Sequence, residues 1–211
     1  MNNLAALRLC GEIGLAVLLF CGSPLFAQTA PPSWEFLPAE PLFAPLIGDP
    51  REPHTAITAY GNENDFEGAV GDTMELVRYT PGDGTQWGWG LFGAGYILLS
   101  ENGATFPMQA GDWLAGAYAS EKSGPLAFRL EFEHRSSHLG DSLQGLVTPI
   151  FYSRENLNLA FSWDAAAWLR LEGGLGFWEN IAPPDKLFFA SLGLEAYTPS
   201  TDFLGARLRG Y

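Results

Sequence analysis

The sequence predicts an all-β protein, an antiparallel up-and-down transmembrane β-barrel of the outer-membrane type. Residues 128–133 alternate strictly between apolar and charged side chains, which is the period of a strand with two different faces. The 211 residues include 25 Gly and 15 Phe, a composition typical of barrels and sandwiches. After residue 27 no apolar run approaches the roughly 18 residues that a membrane helix needs, so a membrane-embedded form would have to cross with strands.

The first 27 residues have the pattern of a secretory signal peptide. An apolar run at residues 13–20 is followed by Ala27, a small residue before the expected cleavage at Gln28. Both cysteines, Cys10 and Cys21, lie in this segment, so the mature chain would form no disulfide and no thiolate site. We therefore expect export, with the cell outer membrane as the destination.

Residues 28–53 form a proline-rich segment that holds seven of the 15 prolines. Proline lacks the backbone donor and restricts the residue before it, so no regular strand or helix is expected here. Large apolar residues such as Trp34, Leu42 and Phe43 nevertheless occur in it. The segment is therefore predicted to be extended and packed against the barrel, at its periplasmic side or in its mouth.

From residue 54 the chain predicts one β-barrel domain, residues 54–211, in which strands alternate with turn residues. No helical period competes over a comparable length. The predicted strands are residues 54–60, 66–79, 86–99, 111–120, 126–135, 150–163, 167–178, 186–197 and 202–211.

The connections alternate between short ones and long ones, apart from a short first hairpin at residues 61–65. Outer-membrane barrels place short turns in the periplasm and long loops outside. Six tryptophans then fall near the strand ends, where amphipathic rings prefer the membrane–water boundary, although they could instead fill core pockets. They are Trp87, Trp89, Trp163 and Trp168 at the short-turn end, and Trp113 and Trp178 at the long-loop end.

Nine predicted strands raise a problem of parity. Bacterial barrels made of one chain have an even number of strands, with both ends in the periplasm. We therefore expect that the last strand or strands are missing from this chain, or that one predicted strand is false.

Several stretches resemble an uncharacterised bacterial family, the domain of unknown function 1207. They are residues 34–38, 42–46 and 49–53, the strand end with Glu131, His134, Ser136, Ser137, His138, Leu139, Gly140 and Asp141, and the run from Tyr152 to Glu155. The resemblance extends from Trp34 to the end of the chain. It implies a secreted protein similar to outer-membrane barrels, with members that continue beyond this length and no known activity or catalytic residue.

Four residues around the polar end of the strand at 126–135 are the candidates for catalysis: His134, Ser136, His138 and Asp141. A nucleophile needs a base within hydrogen-bond reach, and the base needs an orienting group. Alternate strand residues lie about 7 Å apart, and His134 and Ser136 share the predicted lipid-facing side. The pair resembles the His-x-Ser of some lipid A deacylases, but no acidic partner is identifiable. A polar strand end with a turn at residues 140–141 is the favoured interpretation.

Charged residues on the opposite side of the strands are predicted to face the lumen. They could line a pore or form a network of paired charges that fills a closed barrel. A soluble barrel for an apolar ligand would reverse the faces and place Phe128 and Leu130 inside. The predicted inner charges are Arg129, Glu131, Glu133, Arg170, Glu172 and Glu195.

Composition and spacing exclude several functions. The chain has 24 Asp and Glu against 11 Lys and Arg, with no basic cluster for nucleic acid. No spacing fits a metal site, including that of Asp49, Glu52 and His54, and no cofactor is expected. We expect outer-membrane lipids and the barrel-assembly machinery as partners of a structural or passively conducting barrel. A membrane-embedded ester hydrolase using His134 and Ser136, and a soluble periplasmic barrel, are the alternatives.

Overall fold

The structure, a computed structural model, describes most of the chain after residue 29. The described residues are 30–46, 48–49, 52–60, 65–101, 105–140, 143, 145–146, 148, 152–182, 186–196, 201–203 and 206–208. The chain divides into two units, Met1–Ala30 and Pro31–Tyr211, and only Ala30 of the first is described. The predicted signal peptide, residues 1–27, lies outside the described residues.

The described residues form an all-β fold in which an up-and-down antiparallel sheet contains nine strands. From β3 to β9 each strand pairs with the next one in the sequence, which confirms the predicted architecture at this level. No helix in the described part of the chain is long and apolar enough to cross a membrane. The strands are β1 (Ser33–Phe36), β2 (Ala56–Tyr60), β3 (Asp65–Thr80), β4 (Thr85–Ser100), β5 (Met108–Ser123), β6 (Leu126–Leu139), β7 (Tyr152–Ala166), β8 (Leu169–Ala182) and β9 (Phe188–Ala196).

Strands β1 and β2 share one position, because both pair with the outer edge of β3. β1 pairs with Val77–Thr80 and β2 with Asp65–Ala69, at opposite ends of the strand. The expectation of no strand in residues 28–53 is therefore wrong for β1. Its four residues lie between prolines, and an edge position needs backbone donors on one side only. The nine strands of the sheet thus fill eight positions. The prediction of a missing last strand rested on an odd number of positions, and that number is even.

The described sheet is not closed into a barrel. Among the described residues β9 pairs only with β8, while β1 and β2 pair only with β3. The predicted strand at residues 202–211 is also wrong, since the described residues there belong to a separate pair of strands, β10 (Thr201–Phe203) and β11 (Ala206–Leu208).

The two faces of the sheet have inverted polarity compared with a water-soluble protein. On β6, Leu130 and Phe132 are 48% and 52% exposed, whereas Arg129 between them is 2% exposed. The apolar row therefore forms the outer face, and the charged row forms the inner face. β6 also continues to Leu139, so residues 136–139 extend the strand and do not begin the predicted loop at 136–149.

The segment 37–53 is named here the strap, and its described residues run along the inner face between β1 and β2. Leu42 N donates to Glu75 Oε2 of β3 at 2.8 Å, and Leu46 packs where a Cβ on Gly193 of β9 would lie. From Leu42 to Leu46 the chain advances four residues, which extend at most about 14 Å. β3 and β9 are six spacings apart, about 29 Å in a flat sheet. Inner side chains project perpendicular to the sheet, so the sheet must curve around the strap.

Candidate functional site

The inner face surrounds a polar cavity of about 180 Å³. Charged, amide and aromatic side chains meet there because alternate residues of neighbouring strands project to the same side. Asn158 Nδ2, for example, donates to Glu131 Oε2 at 2.7 Å across the β6–β7 pair. The polar lining includes Arg129, Glu131, Glu133, Arg135, Arg154, Asn156, Asn158 and Glu172.

Arg129 joins the strap to the sheet. Its Nη2 donates to Glu52 Oε1 and lies 2.9 Å from Glu131 Oε1, and its guanidinium lies 4.4 Å from the centre of the Phe43 ring. Burial of a cation is costly unless it is paired in this way. Burial raises the pKa of the Glu52 carboxyl; attraction by Arg129 opposes the shift and repulsion by Glu131 adds to it. Phe43 itself is fully buried against Ala127 and Ala160.

A second cavity, of about 600 Å³, lies toward the long-loop end of the strands. Arg135 lines both cavities, so they adjoin. Three carboxylates face the second cavity, and each accepts a short hydrogen bond: Asp65 from Ser100 at 2.5 Å, Glu67 from Tyr60 at 2.6 Å and Asp112 from Ser137 at 2.5 Å. The lining includes His54, Asp65, Glu67, Asp112 and Arg135, so this end of the interior is predominantly acidic.

All six predicted inner charges lie on the inner face. Besides the three on β6, Glu172 and Glu195 are buried. Arg170 donates from Nε to Asp164 Oδ1 at 2.8 Å and from Nη1 to the Ala44 carbonyl at 3.1 Å, so it anchors the strap to β8. Arg78 of β3 also donates from Nη2 to the Glu40 carbonyl at 2.5 Å, so guanidinium groups from three strands hold the strap.

Five of the six predicted interface tryptophans are exposed; Trp178 is not among them. It shares the inner face with Glu172 because the two lie six positions apart on β8, an even offset. Its ring packs 5.0 Å from Phe189 and 5.1 Å from the guanidinium of Arg154 in the cavity wall. The predicted position at a lipid boundary is therefore wrong for this residue. The exposed five are Trp87, Trp89, Trp113, Trp163 and Trp168.

The three candidate catalytic residues that the structure describes lie on one face of β6. His134, Ser136 and His138 lie on the outer side in line with Phe132, whereas the neighbouring Ser137 points inward to Asp112. Asp141 lies outside the described residues. Within the part of the chain that the structure describes, no group of three or more His, Cys, Asp or Glu could hold a metal ion.

Glu155 supplies an acidic partner that the sequence did not identify. It lies opposite His134 in the β6–β7 register, and its Oε1 is 3.0 Å from His134 Nδ1. Ser136 lies opposite Ser153 in the same register. The two stretches that carried the family resemblance, the His-x-Ser strand end and the run from Tyr152 to Glu155, are thus neighbours in the sheet. Strand register, which the alternation does not fix, was the missing information.

These features define a class of protein: an up-and-down antiparallel sheet that curves around its own N-terminal segment, with a charged interior and an apolar exterior. The model of the family described as "Protein of unknown function (DUF1207)" matches residues 28–207, and the chain belongs to that family. The resemblance found in the sequence is thereby confirmed. No curated protein and no solved structure matches the chain.

Proposed function

We propose that the protein is an integral outer-membrane β-barrel whose polar interior is closed by its own strap. The observation that carries the proposal is the inverted polarity of the sheet. Leu130 and Phe132 are exposed where a soluble protein would bury them, while Arg129 is buried. A strand that alternates apolar residues outward and polar residues inward is the pattern of a barrel in lipid.

The number of strand positions also supports a membrane barrel. Counting β1 and β2 as one crossing, β2 to β9 make eight crossings. The first begins and the last ends at the short-turn side. Eight is the smallest strand number among outer-membrane barrels. In the proposed barrel β9 closes against the edge that β1 and β2 occupy.

The interior favours a closed barrel over an open pore. Eight-stranded barrels are just wide enough for side chains to fill them. Here the strap takes part of that space, and Phe43 is fully buried in it. The proposed role is therefore structural, and small polar solutes would pass only when the strap leaves the interior.

The apolar outer face and the charged inner face also argue against a soluble barrel that binds an apolar ligand. Such a protein would need an apolar inner wall, whereas the inner wall here contains Arg129, Glu131 and Glu172. The exposed apolar side chains would then have no partner in water.

Cell fractionation and gel migration test the proposal. We expect the full chain in the outer-membrane fraction, with a gel mobility that changes on heating because a folded barrel resists detergent until it is boiled. Recovery in the periplasm, with the same mobility before and after heating, would overturn the membrane assignment.

A further inference from the structure

His134 and Glu155 form a polar pair on the outer face, next to its apolar row. Their outer-face neighbours are Phe132 on β6 and Leu157 on β7, both exposed. The His134 and Glu155 side chains are 47% and 23% exposed. We propose that His134, Glu155 and Ser136 form a lipid-facing site that hydrolyses the acyl ester of a membrane lipid. This proposal rests on the proposed membrane location.

The hydrogen bond fixes which nitrogen of His134 can act as a base. Nδ1 lies 3.0 Å from Glu155 Oε1, so the tautomer with the proton on Nδ1 donates to the carboxylate. Nε2 then carries the free lone pair. This is the arrangement in which an acid orients an imidazole and stabilises its protonated form.

Ser136 is placed to be the nucleophile. It follows His134 by two residues, so both side chains project from the outer face. Side chains in strands lean along the strand direction, which lets the imidazole approach the hydroxyl. Among the described contacts no hydrogen bond joins the two, and catalytic hydrogen bonds of this kind often shorten only when substrate binds.

The position of Ser136 along β6 indicates which part of a lipid it would contact. From Leu126 to Ser136 the strand rises about 34 Å, or about 26 Å along the membrane normal at a tilt of about 40°. The apolar band of an outer-membrane barrel is about 25 Å tall. Ser136 therefore lies at the long-loop boundary of the band, the depth at which acyl chains are joined to lipid headgroups.

The reaction is an ordinary two-step acyl transfer. The Ser136 hydroxyl oxygen attacks the ester carbonyl carbon while His134 Nε2 accepts its proton. The ester C–O bond breaks, His134 returns the proton to the departing alcohol oxygen, and the acyl group stays on Ser136. Water, deprotonated by His134, then releases the fatty acid and restores the serine hydroxyl.

The test uses the full chain inserted in two kinds of vesicle, with released fatty acid measured by mass spectrometry. One contains palmitoyl-oleoyl phosphatidylethanolamine and phosphatidylglycerol; the other adds lipopolysaccharide to the outer leaflet. We expect release that falls at least about a hundredfold in Ser136→Ala and in His134→Ala. Ser137→Ala, the inward-facing neighbour, is the matched control and should keep the full rate.

Glu155 acts as a positioning residue, so its test needs a second measurement. Glu155→Gln should reduce both fatty-acid release and covalent labelling of Ser136 by a fluorophosphonate, and Glu155→Asp should restore part of each. Heat-dependent gel migration of every variant establishes that it is folded and inserted.

The outcomes separate the hydrolase from the barrel. Release from both vesicle types identifies a phospholipid as the substrate, and release only from the vesicles with lipopolysaccharide identifies an acylated glycolipid. An inserted wild-type chain that releases no fatty acid from either vesicle, or a Ser136→Ala variant as active as wild type, overturns the hydrolase and leaves the barrel standing. A chain that does not insert overturns both proposals.

Discussion

Replacing Leu130 by Arg distinguishes an outer surface in lipid from one in water. Leu130 is 48% exposed and lies between Ala119 and Leu159 in the middle of the outer apolar row. In water the substitution would forfeit about half of the roughly 2 kcal/mol from burying a leucine, or about 1 kcal/mol. Near the midplane of a bilayer an outward Arg costs about 2–4 kcal/mol. We therefore expect the free energy of unfolding to fall by about 2–4 kcal/mol.

Urea unfolding in phospholipid vesicles, followed by tryptophan fluorescence and gel mobility, measures this change. Leu146→Arg is the matched control, because Leu146 is 76% exposed outside the strands and its replacement should change stability by less than about 0.5 kcal/mol. If Leu130→Arg costs no more than about 1 kcal/mol, the outer face behaves as a surface in water. The membrane proposal would then be refuted.

Three further predictions concern the interior. Arg129→Met leaves Glu52 and Glu131 facing each other without a cation and should cost about 3–5 kcal/mol of unfolding free energy, most of it recovered when both carboxyls are also made Gln. Phe43→Ala should cost about 3–5 kcal/mol and raise the conductance of planar bilayers, whereas Phe36→Ala, at a side chain 76% exposed, should do neither. Because burial raises the folded-state pKa of Glu52, the folded chain binds its proton more tightly. Stability should therefore rise as pH falls from neutral through that pKa and be lost as pH rises, and Glu52→Gln should remove this part of the urea midpoint's pH dependence.

Alternation predicted the long strands because a period of two is a local property of the chain. β6 was predicted at residues 126–135 and forms Leu126–Leu139, with the same residues on the same faces. The prediction failed where pairing partners decide the structure. β1 is four residues long and exists because the edge of β3 is open to it. The two strands β10 and β11 replace a predicted single strand because their residues pair with each other.

The candidate site was less predictable because its contacts are long-range. Arg129 was expected to face inward, but its partner Glu52 lies 77 residues earlier, in a segment without periodicity. Glu155 was not recognised as the partner of His134, since alternation fixes the face of a residue and leaves its register open. A shift of two residues would keep both faces and remove the pair. Sequence alone therefore predicted which residues share a face, and the structure was needed to pair them.

The charged residues of the inner face and the polar residues of the outer face have different roles in this fold. The inner charges are engaged with one another and with the strap: Arg129 with Glu52 and Glu131, and Arg170 with Asp164 and the Ala44 carbonyl. Charges committed in this way stabilise the packing of the strap against the inner face. A polar group in an apolar outer row has no such structural need, and a leucine there would suit lipid better. The pair of His134 and Glu155 is therefore the place on this protein where a function beyond holding the fold together should be sought first.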